Sequence, residues 1–505
     1  MPSSTLPLVV AGNVFKRAMG TLVNDAATRI VRGIFIMDSR GSTNGAGNQM
    51  QACIVHQLGT IHGNIPELFC PCMFGGVVAA PMVGGCWAIN TASGSNVDTD
   101  VSSVGSVRPY WAGTGPDVGG ASGRIRRVPV GNGTDGTAIV WDGRMHRNSL
   151  NMNAFSLTNL WKDGTLEVDV LCPTNVLNET SVRLRHSNKA NGASFSFSAA
   201  VVLNDVTIAD AALNSAVYDV RKLTFTNLTT VPNAFFGVEQ VNSVGAAFSG
   251  RVEVSGLRIR NAGNAYGLAA SIWGRSGART SEYPNDHADM HASMRAAGPV
   301  DYVVLACDIN DCFGSLHSKE TFKANVIAAT ALARAQAGNP SLPVIYWRVS
   351  PHGTNLDTSS GLDRTALWDS YGDAGDEIAA TDPFFGMFNS LPFLESMGFN
   401  RTKGFFTGLT DAGTWNAGIT VSTTQYTLHR DTYWTAEVTT VAGDEPGTAT
   451  AGGSKFRWLG FWVPGDAFHP TDLGAQICAE MFCKALMECG GFAESPASGG
   501  GLYYL

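Results

Sequence analysis

The stretch Asp466-Ala467-Phe468-His469-Pro470 sets a carboxylate three positions before an imidazole. The proline that follows suits the first turn of a helix, where its missing N–H would be unpaired anyway. A histidine oriented by an acid can take the proton of a serine hydroxyl, which is half of a nucleophilic hydrolase. Ser39 is the candidate for the other half. It lies in Asp38-Ser39-Arg40-Gly41-Ser42, directly after the apolar run 33–37. Asn310, in Asp308-Ile309-Asn310-Asp311, follows a second apolar run, 300–307. Its amide is a neutral donor able to face a developing oxyanion.

The elements that must hold these residues can be read from period and punctuation. Residues 33–37 read as a buried strand, and Met50, Ile54 and Leu58, with Val55 alongside, fall on one face of a helix beyond the polar turn. Strand, serine-bearing turn and helix put a hydroxyl at the carboxyl end of a sheet, where open α/β sheets place their sites. Leu473, Ile477, Met481, Phe482 and Leu486 recur at helical spacing after Pro470. Phe322, Val326, Ile327 and Ala329 mark another helix, ending near Gly338 and Pro340, and 342–349 reads as a further buried strand. An amphipathic helix over 14–32 leads into the first strand.

These blocks, in this order, resemble the signature of the SGNH hydrolases, also called the GDSL esterase/lipase family. Met37-Asp38-Ser39 looks like the first block, Asp308-Ile309-Asn310-Asp311 like the third, and Asp466-Ala467-Phe468-His469-Pro470 like the last. Ile272-Trp273-Gly274-Arg275-Ser276-Gly277-Ala278 is the best candidate for the second, with Gly277 as its oxyanion glycine and Gly274 as the fallback. Two positions depart from the pattern: Met37 and Asp308 stand where the family has glycine. The resemblance implies an α/β fold: a three-layer α/β/α domain with a parallel sheet. It also implies a serine esterase mechanism; with no Walker loop and no dinucleotide fingerprint in the chain, no metal or cofactor is expected. Ser39 would attack an acyl carbonyl, His469 would shuttle the proton, and Asp466 would hold the imidazole. The Ser39 and Gly277 N–H groups and the Asn310 amide would bind the oxyanion, each donor contributing roughly 3 kcal/mol. Asp38, Arg40 and Gly274 would support that constellation.

Other motifs are weaker. Gly274-Arg275-Ser276-Gly277-Ala278 lacks the final glycine of a nucleophile elbow, so Ser276 is a poor rival. His287 and His291 could share a helix face but have no zinc motif around them, and Asp98-Thr99-Asp100 lacks a calcium loop. The chain has 505 residues, enough for two or three domains, and only 15% are charged. A net charge of −8 offers no basic field for nucleic acid. No apolar run is long enough for a membrane span, and no basic n-region precedes the first apolar residues, so synthesis in the cytoplasm is expected. Ten cysteines in so long a chain read as mostly buried thiols.

The blocks are far apart, and the gap is informative. Between Ser39 and Gly277 the period changes to alternation, as in 164–170, 181–185, 222–225 and 251–254, with Gly, Asn and Thr clusters between. Short alternating strands with turn signals read as an all-β sandwich, jelly-roll-like. The expected organisation is hydrolase over 1–80, inserted β domain over 81–264, hydrolase again over 265–505, and a second insertion at 350–457. A β sandwich beside such a core, together with 11 tryptophans, points to an acylated polysaccharide as substrate and to carbohydrate O-acetyl esterase activity. The glycine-rich composition and large insertion also look like phage tail- or spike-associated esterases, which leaves virion partners or a homo-oligomer open. The alternatives are a lipase or thioesterase of the same family, or a non-catalytic structural or receptor-binding virion protein.

Overall fold

The computed structural model describes residues 8–41, 50–71, 256–274, 278–283, 298–313, 315–349, 364–396, 398–400, 405–406, 409–429, 432–436, 438–446, 455–458, 470 and 472–490, plus short strands between 73 and 254. Among the described residues, six strands make the central sheet: β1 (Val9–Ala11), β2 (Ile30–Met37), β3 (Gly267–Gly274), β4 (Tyr302–Ala306), β5 (Val344–Arg348) and β6 (Phe385–Asn389). Their spatial order is β1-β6-β5-β4-β2-β3. All neighbours run parallel except β1, which closes the edge antiparallel to β6. From β2 the chain moves outward to β3 and then crosses back to β4 on the other side. That reversal makes the carboxyl end of β2 a topological switch point, the usual place for a site in an open α/β sheet.

Among the described residues, seven helices accompany the sheet: α1 (Asn13–Asp25), α2 (Met50–His62), α3 (Asp308–Phe313), α4 (Lys319–Ala337), α5 (Arg364–Thr381), α6 (Leu391–Ser396) and α7 (Asp472–Gly490). The layers follow from strand alternation, which sends consecutive side chains to opposite faces. On β5, the Trp347 ring meets Phe482 of α7 at 4.7 Å, while Tyr346 meets Phe322 of α4 at 5.4 Å. Phe388 on β6 joins the first face, packing on Phe482 and on Phe15 of α1. Phe322 stacks on Tyr371 of α5 at 4.0 Å, closing the second. Gly386 is needed on β6 because a Cβ there would come within 2.5 Å of the Phe15 ring. Gly20 lets α1 touch α7, since its Cβ would sit 2.6 Å from the Cys489 carbonyl oxygen. Ser318 caps α4 by accepting from the Thr321 N–H, and Gly338, at φ +61°, ends it in the left-handed conformation.

Beyond the core lie extra β sheets. One joins Val220–Thr229, Thr165–Pro173, Gly256–Asn261 and Glu67–Pro71 in that order; another joins Val201–Ile208, Thr180–Ser187, Phe235–Val241, Thr137–Asp142 and Cys86–Asn90. Neighbouring strands in both are antiparallel. The first and last strands on this excursion, Glu67–Pro71 and Gly256–Asn261, pair with each other, Glu67 opposite Arg260. The departure from the core is therefore at Glu67, ahead of the boundary near Pro81 read from the sequence. Phe69 packs on Trp273 of β3 at 5.2 Å, and Arg32 of β2 holds buried Glu67 through two bonds of 2.9 and 3.0 Å.

Two further sequence readings are corrected. Residues 364–389, expected within a second insertion, supply α5 and β6 of the core. Phe385-Gly386-Met387-Phe388 is buried on both faces, so it carries no alternation to mark it as a sheet strand. The helix expected over 14–32 ends at Asp25, because β-branched Ile30 and Val31 already belong to β2. Among the described residues no helix is long and apolar enough to cross a membrane. Cys307, Cys312, Cys478, Cys483 and Cys489 are buried and free, and Cys53 is also buried.

Candidate active site

Three strand ends lie side by side at the switch point. Gly274, the last residue of β3, is in register with Met37 of β2, and Met37 is in register with Ala306 of β4 on the other side. The next residues are Asp38-Ser39 after β2 and Cys307-Asp308 after β4, so three sequence blocks distant in the chain meet at one edge. Ser39 opens a single 3-10 turn, Ser39–Gly41. The Asp38 N–H donates to the Ala306 carbonyl at 3.3 Å and the Gly41 N–H to the Asp38 carbonyl at 3.0 Å, which ties the turn to β4. The Gln51 amide of α2 donates to the Gly41 carbonyl at 3.1 Å.

Beneath the turn is a buried ionic cluster. Arg40 and both carboxylates, Asp38 and Asp308, are fully buried. The guanidinium donates to Asp38 Oδ1 at 2.9 Å and Oδ2 at 2.6 Å, and through Nη2 also to Asp308 Oδ1. The other Asp308 oxygen accepts from the Tyr346 hydroxyl at 2.9 Å and the Trp368 indole N–H at 3.1 Å. Burial opposes the charge on Arg40, but Asp308 and Asp38 outweigh it and hold its pKa above the ordinary value. Burial and the Asp308 charge push the Tyr346 phenol well up, so it stays a donor. The departure from the family's glycine at Asp308 thus has a physical account: the side chain is engaged by Arg40, Tyr346 and Trp368, linking the turn that carries Ser39 to the third block. Replacing Tyr346 by Phe should cost about 1–3 kcal/mol, because a buried carboxylate oxygen loses a donor. A thermal unfolding profile identical to wild type would show that this bond contributes nothing.

Asn310 sits in α3, and its amide donates to the Ala278 carbonyl at 3.0 Å. The amide has two N–H groups, so this bond leaves one for another acceptor. Asp311, fully buried, accepts from the Thr280 N–H and hydroxyl, each at 2.8 Å, and from His317 Nδ1 at 2.7 Å. Burial raises the Asp311 carboxyl to about 6, against the pull of those bonds. The residues after the second block are therefore held by the third. Thr280 and His317 escaped the sequence reading, although Asp311, as the last residue of its block, marked where to look.

Gly277, Asp466 and His469 lie outside the described residues, as do His287, His291, Asp98 and Asp100; the Ser39 side chain is likewise not described. The helix that follows the last block is described. It starts at Asp472, with Cys478 in its second turn. It packs against α2, the helix that follows the Ser39 turn. Burial pushes the Cys478 thiol up while the Arg40 charge pulls it down. The far end reaches α1, where Glu488 accepts from Lys16.

No family model matches the chain, and no curated protein matches it. A solved structure described as "Peptidoglycan O-acetylesterase in action, 5 min" matches over 96% of this chain and 100% of that one, at 13% identity and a TM-score of 0.50. Family two carbohydrate esterases from Clostridium thermocellum and Cellvibrio japonicus match over 55% of this chain at 10% identity, with TM-scores of 0.20; they are covered over 86% and 84% of their lengths. The first match spans the core and the extra sheets together. The chain thus has a mixed α/β fold with a largely parallel central sheet and additional β sheets, a fold it shares with that solved structure.

Proposed function

We propose that the protein is a serine esterase that removes O-acetyl groups from a polysaccharide. The observation that carries this reading is the meeting of β3, β2 and β4 at one sheet edge, with the Ser39 turn between the Gly274 end and the Asn310 helix. The chain-long likeness of fold to a structure described as a peptidoglycan O-acetylesterase supports the choice of substrate class. In this mechanism the Ser39 hydroxyl attacks the acetyl carbonyl while His469 takes its proton, and Asp466 stabilises the imidazolium. The tetrahedral oxyanion accepts from the Ser39 N–H, the Gly277 N–H and the free N–H of the Asn310 amide. Collapse expels the sugar alkoxide, which receives the proton from His469. Water then attacks the acetyl-enzyme by the same proton relay, releasing acetate and restoring Ser39. The β sheets docked beside β3 would position the polymer.

Acetate release from O-acetylated polysaccharides, peptidoglycan among them, tests the proposal directly, with Ser39→Ala as the control. Hydrolysis of acetyl esters in preference to long-chain p-nitrophenyl esters is expected. A clear preference for long chains would move the protein to the lipases, and an inert wild type would favour a structural role.

A further inference from the structure

Asp311 is a fully buried carboxylate that the mechanism above does not use. Its two oxygens take three bonds. Oδ2 accepts from the Thr280 N–H; Oδ1 accepts from the Thr280 hydroxyl and from His317 Nδ1. The His317 N–H returns a bond to the Asp311 carbonyl at 2.9 Å, and the Tyr371 hydroxyl of α5 holds the His317 carbonyl at 2.7 Å. This carboxylate is therefore braced from α5 on one side and grips Thr280 on the other. Two residues before Thr280 is Ala278, whose carbonyl accepts from the Asn310 amide. That bond fixes the plane of the amide, and with it where the second N–H is presented.

We propose that Asp311, braced by His317, is a positioning residue for the oxyanion donor Asn310: by gripping Thr280 it sets the Ala278 carbonyl, which orients the Asn310 amide for the transition state. This rests on the esterase reading given above. It concerns a donor that acts through the transition state rather than through substrate binding, so its loss lowers kcat and leaves KM nearly unchanged. Small misplacements of such donors are costly, since removing one outright lowers kcat by about 10²–10³-fold.

The test compares Thr280→Val, Thr280→Ser and Asp311→Asn in the full chain. Each is assayed on p-nitrophenyl acetate, with kcat referred to the sites titrated by a serine-reactive phosphonate. Thr280→Val keeps the backbone donor and removes only the hydroxyl bond; it should lower kcat per titrated site by about 10-fold with KM within twofold. Thr280→Ser restores the hydroxyl and should recover most of the rate. Asp311→Asn should fall by about 100-fold. Unchanged kcat per titrated site in both Thr280→Val and Asp311→Asn would overturn the proposal, as would a loss that matches only the fall in titratable sites. If Asp311→Asn does not fold, the two Thr280 variants decide alone. A wild type as inert as Ser39→Ala would overturn the esterase reading, and this proposal with it; an active wild type with indifferent variants overturns this proposal only.

Discussion

Ser39→Ala is expected to lower ester hydrolysis by about 10⁵-fold with the fold intact. The magnitude comes from losing the covalent route of the proposed mechanism altogether: in it, neither His469 nor the oxyanion donors could replace the attacking oxygen. Some acceleration over water should survive, because donors and binding still act on a water-mediated reaction, typically about 10³-fold or more. The fold should be indifferent because the neighbours of Ser39 anchor its turn. Asp38 and Arg40 flank it and are held by β4 and the buried cluster. Rates on p-nitrophenyl acetate together with far-ultraviolet circular dichroism would check both halves. Hydrolysis persisting at the wild-type rate would remove Ser39 as nucleophile.

Arg40→Met should act in the opposite way, on stability first. The guanidinium is the shared partner of two carboxylates that have no solvent exposure. Without it, Asp38 and Asp308 remain buried with the same charge, and at least one must take a proton to relieve the repulsion. Breaking a buried pair by removing one partner costs about 3–5 kcal/mol, mostly from stranding the charges left behind. That is a large part of the stability of an ordinary domain. Arg40→Lys should be only partly rescuing, because a single ammonium cannot reproduce the planar fork that reaches both acids. Urea unfolding followed by tryptophan fluorescence would measure the loss. A midpoint unchanged from wild type would mean that the cluster does not hold the turn.

Much of the core was legible because its signals are local. The helical spacing of Ile477, Met481, Phe482 and Leu486 gave α7, whose buried face these residues form, and Gly338 marked the end of α4 where it occurs. The apolar runs before Asp38 and Asp308 became β2 and β4. What failed has a common cause. β6 is buried on both sides and α5 carries small residues around much of its surface, so neither shows a clean period, and both read in sequence like part of an insertion. The first strand of the extra sheets, Glu67–Pro71, is short and declares its membership only through its partner Gly256–Asn261. Long-range polar contacts were the least legible of all. Nothing in the spacing of Arg40, Asp308, Tyr346 and Trp368 shows that they converge, since pairing across parallel strands is set by topology rather than sequence distance. The same holds for Thr280 and His317 around Asp311.

The paired strands Glu67–Pro71 and Gly256–Asn261 also bear on how such a chain can change over time. Because departure and return run side by side, the chain between them leaves and rejoins the core, among the described residues, along one two-stranded stem. Changes in what is mounted on that stem are expected to leave the path of β2 and β3 unaltered. A transplanted module should be accepted provided it keeps Glu67 for Arg32 and Phe69 for Trp273, the contacts that seat the stem.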